Sequence, residues 1–218
     1  MKRAYPQYLA AGGEQLPDEL LKVLFPVDYW PLILRYSAER QLDPYMIAAL
    51  IAQESTFAAD VKSAANAYGL MQLLPSTARP YAKALHLTKG FSIGLLTTAE
   101  ANIRMGTAYF ADLLKQFGAA PYALATYNAG PNRVARWISE RPGIERDEFI
   151  DDIPFPETQN YVKRILGTAE DYRRLYGGET AVADVAHSSS VKAKTAASPK
   201  TPAKARKPAV VKKTRKAA

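Results

Sequence analysis

The chain has 218 residues, is 48% hydrophobic and 23% charged, and carries a formal net charge of +8, a composition that fits one sizeable core plus a remainder. It has no cysteine, and its histidines are His86 and His187, so disulfides, thiolate nucleophiles and Cys-based metal sites are excluded and neither a metal nor a cofactor is expected. Neither a G-x-x-x-x-G-K-[ST] loop nor a G-x-G-x-x-G turn occurs, so any chemistry falls to carboxylates, tyrosines or lysines.

Met1-Lys2-Arg3 has the charge of a signal-peptide start, but Pro6, Gly12, Gly13 and Glu14 come next, where an apolar stretch is needed. Either the protein is cytoplasmic or this chain lacks its export signal. Asp43 before Pro44 reads as an N-cap with proline at the first helical position, and predicts a helix to about Gln53 or Glu54. Thr97 followed by Glu100 has capping-box spacing, and Ile103, Gly106, Phe110, Leu113, Leu114 and Phe117 then line one face up to Gly118. Pro121 opens another helix through Tyr127, and Gly130-Pro131 breaks it. Arg133 to Ser139 reads as a short helix, and Pro154 and Pro156 precede a long one carrying Tyr161, Val162, Ile165, Ala169, Tyr172 and Tyr176.

Strand-like alternation is scarce, so the expected fold is all-α over about residues 20–177. The longest unbroken apolar run, Met46 to Ala52, is far short of the ~20 residues a spanning helix needs, so no transmembrane segment is expected. Residues 181–218 hold ten Lys and Arg against one acid, Asp184, which places +9 there and leaves residues 1–180 at −1. This tail has no Phe, Tyr, Trp, Leu or Ile and is expected to be disordered, because it buries too little apolar surface to offset chain entropy. It is either a solvated solubilising segment or a binder of anionic polymer or membrane surface. Nucleic acid is suggested by the tail alone and is not the expected partner.

The anomaly in the body is Glu54. The stripe Ile47, Leu50, Ile51 reaches position 54 at i+7, where packing calls for Leu or Ile. A carboxyl there must find a cation, become protonated or face a cleft.

The segments C-terminal to this acid are specific. Glu54-Ser55 is succeeded by Ser63-Ala64-Ala65-Asn66-Ala67-Tyr68-Gly69-Leu70-Met71-Gln72, then by Thr126-Tyr127-Asn128-Ala129-Gly130-Pro131, and finally by Glu157-Thr158-Gln159-Asn160-Tyr161-Val162. In wording and order these segments resemble the lysozyme-like (goose-type) catalytic domain of the soluble lytic transglycosylases, from near Phe25 to Tyr176. The resemblance gives an N-terminal extension over 1–24, a transglycosylase domain over 25–177 and a Lys/Ala/Pro-rich tail over 178–218. Asn66 stands where the family usually has Gly, and Asn is the residue that best tolerates a left-handed backbone in its place. Thr126 replaces a usually smaller residue.

The resemblance implies cleavage of the β-1,4 bond between N-acetylmuramic acid and N-acetylglucosamine in peptidoglycan strands, giving 1,6-anhydromuramoyl ends, in the periplasm or cell envelope. Glu54 is then the single catalytic acid/base. Ser63 is expected to hydrogen-bond its carboxyl, and Gln72 and Asn128 to offer amides to acetamido groups. Tyr127 and Tyr161 offer hydroxyls near Glu54 and rings for sugar packing, Glu157 accepts from a sugar or peptide amine, and Met71 belongs to the substrate-binding block. The alternative is a lysozyme of the same fold, which needs a second carboxylate to position water, with Asp60, Asp151 and Asp152 as candidates.

Overall fold

The computed structural model describes residues 17–87 and 90–193. Its elements are helices: α1 (Asp18–Leu24), α2 (Trp30–Ala38), α3 (Pro44–Ser55), α4 (Pro75–Ala84), α5 (Ile93–Leu96), α6 (Ala99–Phe117), α7 (Ala120–Ala129), α8 (Pro131–Glu140), α9 (Arg146–Asp151) and α10 (Pro156–Ala193). Among the described residues, extended pairing is confined to isolated antiparallel bridges, Lys62 with Tyr68 and Tyr68 with Leu73, in the loop between α3 and α4. The fold is all-α, as expected.

Local chemistry sets several boundaries. The Asp43 carboxylate accepts from Tyr45 N–H at 3.0 Å and caps α3, with Pro44 in its first turn. Pro121 and Pro131 sit in the first turns of α7 and α8, where their missing N–H costs nothing. The capping box expected at Thr97 does not form. The N-cap of α6 is Thr98, and the hydroxyls of Thr97 and Thr98 both donate back to the Gly94 carbonyl at 3.1 Å. Glu100 is drawn away by Tyr36, whose hydroxyl donates to its Oε1 at 2.6 Å.

The central helix is α6, which packs against α2, α4, α5 and α7 and buries Ile103, Met105 and Phe110. Ile47, Leu50 and Ile51 of α3 and Val162, Ile165 and Tyr172 of α10 belong to the same core. Helix α1 closes on α10: Leu21 is buried with Leu175, and the hydroxyls of Tyr172 and Tyr176 donate to the carbonyls of Pro26 and Phe25 at 2.9 and 2.8 Å. The folded body therefore begins before Phe25, because Leu21 has an apolar partner that the motifs do not reveal.

Helices α3 and α10 run antiparallel and are tied at both ends. Arg173 Nη2 meets Asp43 Oδ2 at 2.5 Å, and Tyr161 meets Glu54 at the other end. Glu54 lies eleven positions after Asp43 and Arg173 twelve after Tyr161, rises of about 17 and 18 Å of helix, so this pairing holds the two side chains in register. The chain divides into two units after Gly178, and the second is helical backbone as far as Ala193. The rest of the expected disordered tail, residues 194–218, and the N-terminal extension up to residue 16 lie outside the described residues.

Candidate active site

Glu54 sits one turn beyond the buried stripe of α3 and is itself only partly exposed. The helix stops directly after it. Thr56 and Phe57 both adopt left-handed φ, 51° and 62°, a conformation that β-branched and aromatic residues avoid. Two such residues in succession cost about 1–3 kcal/mol each. The surroundings enforce it: Phe57 is buried, and Ser55 Oγ donates to Leu70 C=O at 2.8 Å as well as to Ile51 C=O at 3.2 Å. The end of α3 is thus stitched to the segment carrying Gly69-Leu70-Met71-Gln72.

That segment is a compact loop built on its own polar groups. Tyr68 and Leu73 exchange N–H···O=C bonds at 3.1 and 3.0 Å. Asn66 has φ 60°, the left-handed conformation expected of an Asn in the place of Gly. Ser63 Oγ accepts from Ala67 N–H at 3.0 Å, and among the described residues it makes no bond to Glu54, contrary to expectation. Its task is to hold the turn. Gln72 Nε2 donates to Gly69 C=O at 2.9 Å and Val61 C=O at 3.3 Å, which leaves Oε1 as the acceptor end of this amide.

Met71 also departs from expectation. Its side chain is fully buried, and a Cβ built on Gly106 of α6 would lie 2.3 Å from its Sδ, so the glycine on the α6 face makes room for the thioether. Its N–H donates to Asn102 Oδ1 at 2.8 Å, and its C=O accepts from Tyr127 Oη at 2.6 Å. With side chain and backbone both committed, Met71 is packing that holds the loop, not a substrate contact. Asn102, which leaves no signal in the sequence because it lies among the apolar residues of α6, also donates through Nδ2 to Tyr68 C=O at 3.0 Å and Leu96 C=O at 2.7 Å.

The carboxyl of Glu54 receives one side-chain hydrogen bond among the described residues, from Tyr161 Oη to Oε1 at 2.5 Å. Burial pushes its pKa up to about 7, against the downward pull of that hydrogen bond. Tyr127 and Tyr161 are driven well above the ordinary phenol range, first by burial and next by the Glu54 charge, so both remain protonated donors at neutral pH. Of the two phenols, Tyr161 is hydrogen-bonded to Glu54 and Tyr127 feels its charge.

Tyr127 also faces a cleft of about 310 Å³ together with Gln72, Leu74, Thr77, Tyr109 and Asn128, a volume at the lower end of ligand pockets. Glu54 does not line that cleft. The Tyr109 ring lies 5.1 Å from that of Tyr127, which extends the aromatic wall with a residue that no motif singles out. Asn128 is exposed at the rim, and its Oδ1 accepts from Thr158 Oγ1 at 2.7 Å, which leaves Nδ2 as its donor end. Glu157 is exposed in the first turn of α10. Of the other acids, Asp151 pairs with Lys163, Asp152 pairs with Arg141, and Asp60 is exposed. None of these carboxylates is among the causes acting on Glu54.

Residues 31–150 match the family described as Transglycosylase SLT domain. The soluble lytic murein transglycosylase of Salmonella typhimurium is 38% identical over 170 residues, covering 74% of this chain and 25% of the relative. Among solved structures, the 70-kDa soluble lytic transglycosylase from Escherichia coli superposes with a TM-score of 0.68 at 37% identity, over 72% of this chain and 26% of that one. The lytic transglycosylase Slt from Pseudomonas aeruginosa, solved as an inactive Glu-to-Gln mutant, gives 0.67 at 33% identity over 75% and 26%. The chain thus spans about a quarter of the length of these relatives.

Proposed function

The chain belongs to the Transglycosylase SLT domain family, and we propose that it is a lytic transglycosylase, cleaving the β-1,4 bond between N-acetylmuramic acid and N-acetylglucosamine in peptidoglycan to leave a 1,6-anhydromuramoyl end. The observation that carries this reading is the largely enclosed carboxyl of Glu54, raised to about 7 by burial, bonded to the Tyr161 hydroxyl and, among the described residues, paired with no second carboxylate.

Glu54 starts protonated and gives its proton to the leaving glycosidic oxygen. The substrate's own N-acetyl carbonyl stabilises the cation that develops at C1, as in substrate-assisted glycoside cleavage. Tyr161, held at 2.5 Å, stabilises the resulting Glu54 carboxylate through a charge-assisted bond. That carboxylate then takes the proton of the muramic C6 hydroxyl, whose oxygen closes onto C1, and Glu54 is returned to its starting state. An intramolecular hydroxyl has an effective concentration that bulk water does not match.

Around this centre, Tyr109 and Tyr127 supply a wall for sugar rings. Gln72 Oε1 and Asn128 Nδ2 recognise acetamido groups, and Glu157 accepts from a sugar or peptide amine. Ser63 serves the site through the turn it holds. Such a substrate places the protein in the periplasm or cell envelope, and no helix among the described residues is long and apolar enough to cross a membrane. The basic tail beyond Gly178 would hold the enzyme on anionic wall polymer or membrane surface by charge.

The test is mass spectrometry of fragments released from purified peptidoglycan in oxygen-18 water. The expected fragments are unlabelled and ~18 Da lighter than hydrolysis products, the mass of the water that a two-carboxylate hydrolase adds. Label entering muramic C1 in most of the product overturns the proposal and turns attention to Asp60, Asp151 and Asp152.

A further inference from the structure

Asn102 is fully buried on α6, and its side-chain amide is spent three times on one loop and its neighbour. Oδ1 accepts from Met71 N–H at 2.8 Å, while Nδ2 donates to Tyr68 C=O at 3.0 Å and to Leu96 C=O at 2.7 Å. Gly69 presses against the same amide, since a Cβ built there would lie 2.5 Å from Asn102 Nδ2 and 2.1 Å from Leu96 O. The backbone from Tyr68 to Met71 is therefore fixed to α6 with no slack.

One consequence reaches Glu54. The Met71 carbonyl is the acceptor for Tyr127 Oη, at 2.6 Å. Tyr127 is also close enough to Glu54 to feel its charge. Its hydroxyl donates to the carbonyl, and among the described residues Tyr161 is the side chain that donates to the carboxyl.

We infer that Asn102 is a positioning residue for Glu54: by anchoring the Met71 peptide it keeps the Tyr127 hydroxyl on the Met71 carbonyl and leaves the acid with a single phenol donor. The inference deepens the proposed function and rests on it, because the arrangement matters to an acid that must begin its cycle protonated. A second phenol turned onto Glu54 would favour the carboxylate and deplete the proton donor at neutral pH.

The experiment tracks the Glu54 side-chain carboxyl by carbon-13 NMR titration of the full chain, with its resonance assigned by its loss in Glu54→Gln. Asn102→Ser is expected to lower the Glu54 midpoint by about one unit, the scale of one added hydrogen bond to a carboxylate. Tyr127→Phe is expected not to raise it, and the double variant is expected to behave as Tyr127→Phe does. Asn102→Asp retains an acceptor for Met71 N–H, and its midpoint is expected not to fall.

A purely structural Asn102 would lower the melting temperature and leave the Glu54 midpoint where it is in the parent. An unmoved midpoint in Asn102→Ser, or the same fall in the Tyr127→Phe background, overturns the inference. So does a raised midpoint in Tyr127→Phe, the signature of a donor lost from Glu54. If Asn102→Ser does not fold, Asn102→Asp decides, and a fall in its midpoint counts against the inference. The parent's products are assayed in parallel: absence of anhydro ends removes the functional reading, while the titrations still decide what Asn102 does to Glu54.

Discussion

Replacing Glu54 by Gln separates the cost of the acid from its use. Gln keeps the shape and an Oε1 that accepts from Tyr161, but it has no ionised form to desolvate. The carboxyl is raised from 4.5 to about 7, so below pH 4.5 it is protonated in the folded and unfolded chains alike and costs nothing. Between pH 4.5 and 7 the unfolded chain releases the proton while the folded one keeps it, and stability falls as pH rises. Above 7 the full penalty is present, and a rise of 2.5 units at about 1.4 kcal/mol each amounts to about 3 kcal/mol. For a chain of this size, ~2–4 °C per kcal/mol places Glu54→Gln roughly 6–12 °C above the parent at pH 8. Scanning calorimetry of both proteins at pH 4 and pH 8 measures the gap, which is expected to close at the acid end. An equal gap at the two pH values, or a variant that melts lower at pH 8, refutes a buried acid held protonated by its surroundings.

Glu54→Gln should also lose at least the ~10²–10⁴-fold that acid–base catalysis supplies, measured as release of soluble muropeptides; near-parental turnover removes Glu54 from the mechanism. In the parent, kcat/KM should decline as pH rises through about 7, because the starting proton is lost. Tyr161→Phe takes away the hydrogen bond that lowers the Glu54 pKa, so this alkaline limb should move to higher pH while kcat falls. Gly106→Ala puts a methyl 2.3 Å from Met71 Sδ and should destabilise by about 1–3 kcal/mol, as overpacking does, read by urea unfolding. Truncation after Gly178 should leave the melting temperature of the body unchanged and weaken retention on anionic sacculi at low salt, since +8 of charge is removed; a cooperative loss of structure would show that the tail is part of the fold.

The helices with strong local signals are legible in the sequence. The Asp43–Pro44 cap, the α6 face to Gly118, and the prolines opening α7 and α10 depend on neighbouring residues in the chain. Helices α1, α5 and α9 are short, and what defines them is distant: Leu21 is buried by Leu175, and Phe149 of α9 is buried against the Tyr122 ring at 4.4 Å. The failed capping box has the same origin. Spacing proposes Glu100 as a partner for its own helix end, and Tyr36 from α2, 64 residues away in sequence, takes it instead.

The site divides along the same line. Glu54 is visible because a carboxyl interrupts an apolar stripe, and Tyr127 and Tyr161 are visible through the family motifs. Ser63 and Met71 take roles other than those expected, because a motif records which residues recur together and not which way each points. Asn102 is invisible because a buried amide among apolar residues leaves no periodic trace; its value lies in three carbonyl and amide partners that only the folded chain assembles. A carboxyl in an apolar stripe stands out as a violation of packing, whereas a buried amide with its partners satisfied breaks no packing rule. The second kind is found by tracing each buried polar atom to its partner, and here that trace runs from Asn102 through Met71 and Tyr127 to the surroundings of the acid.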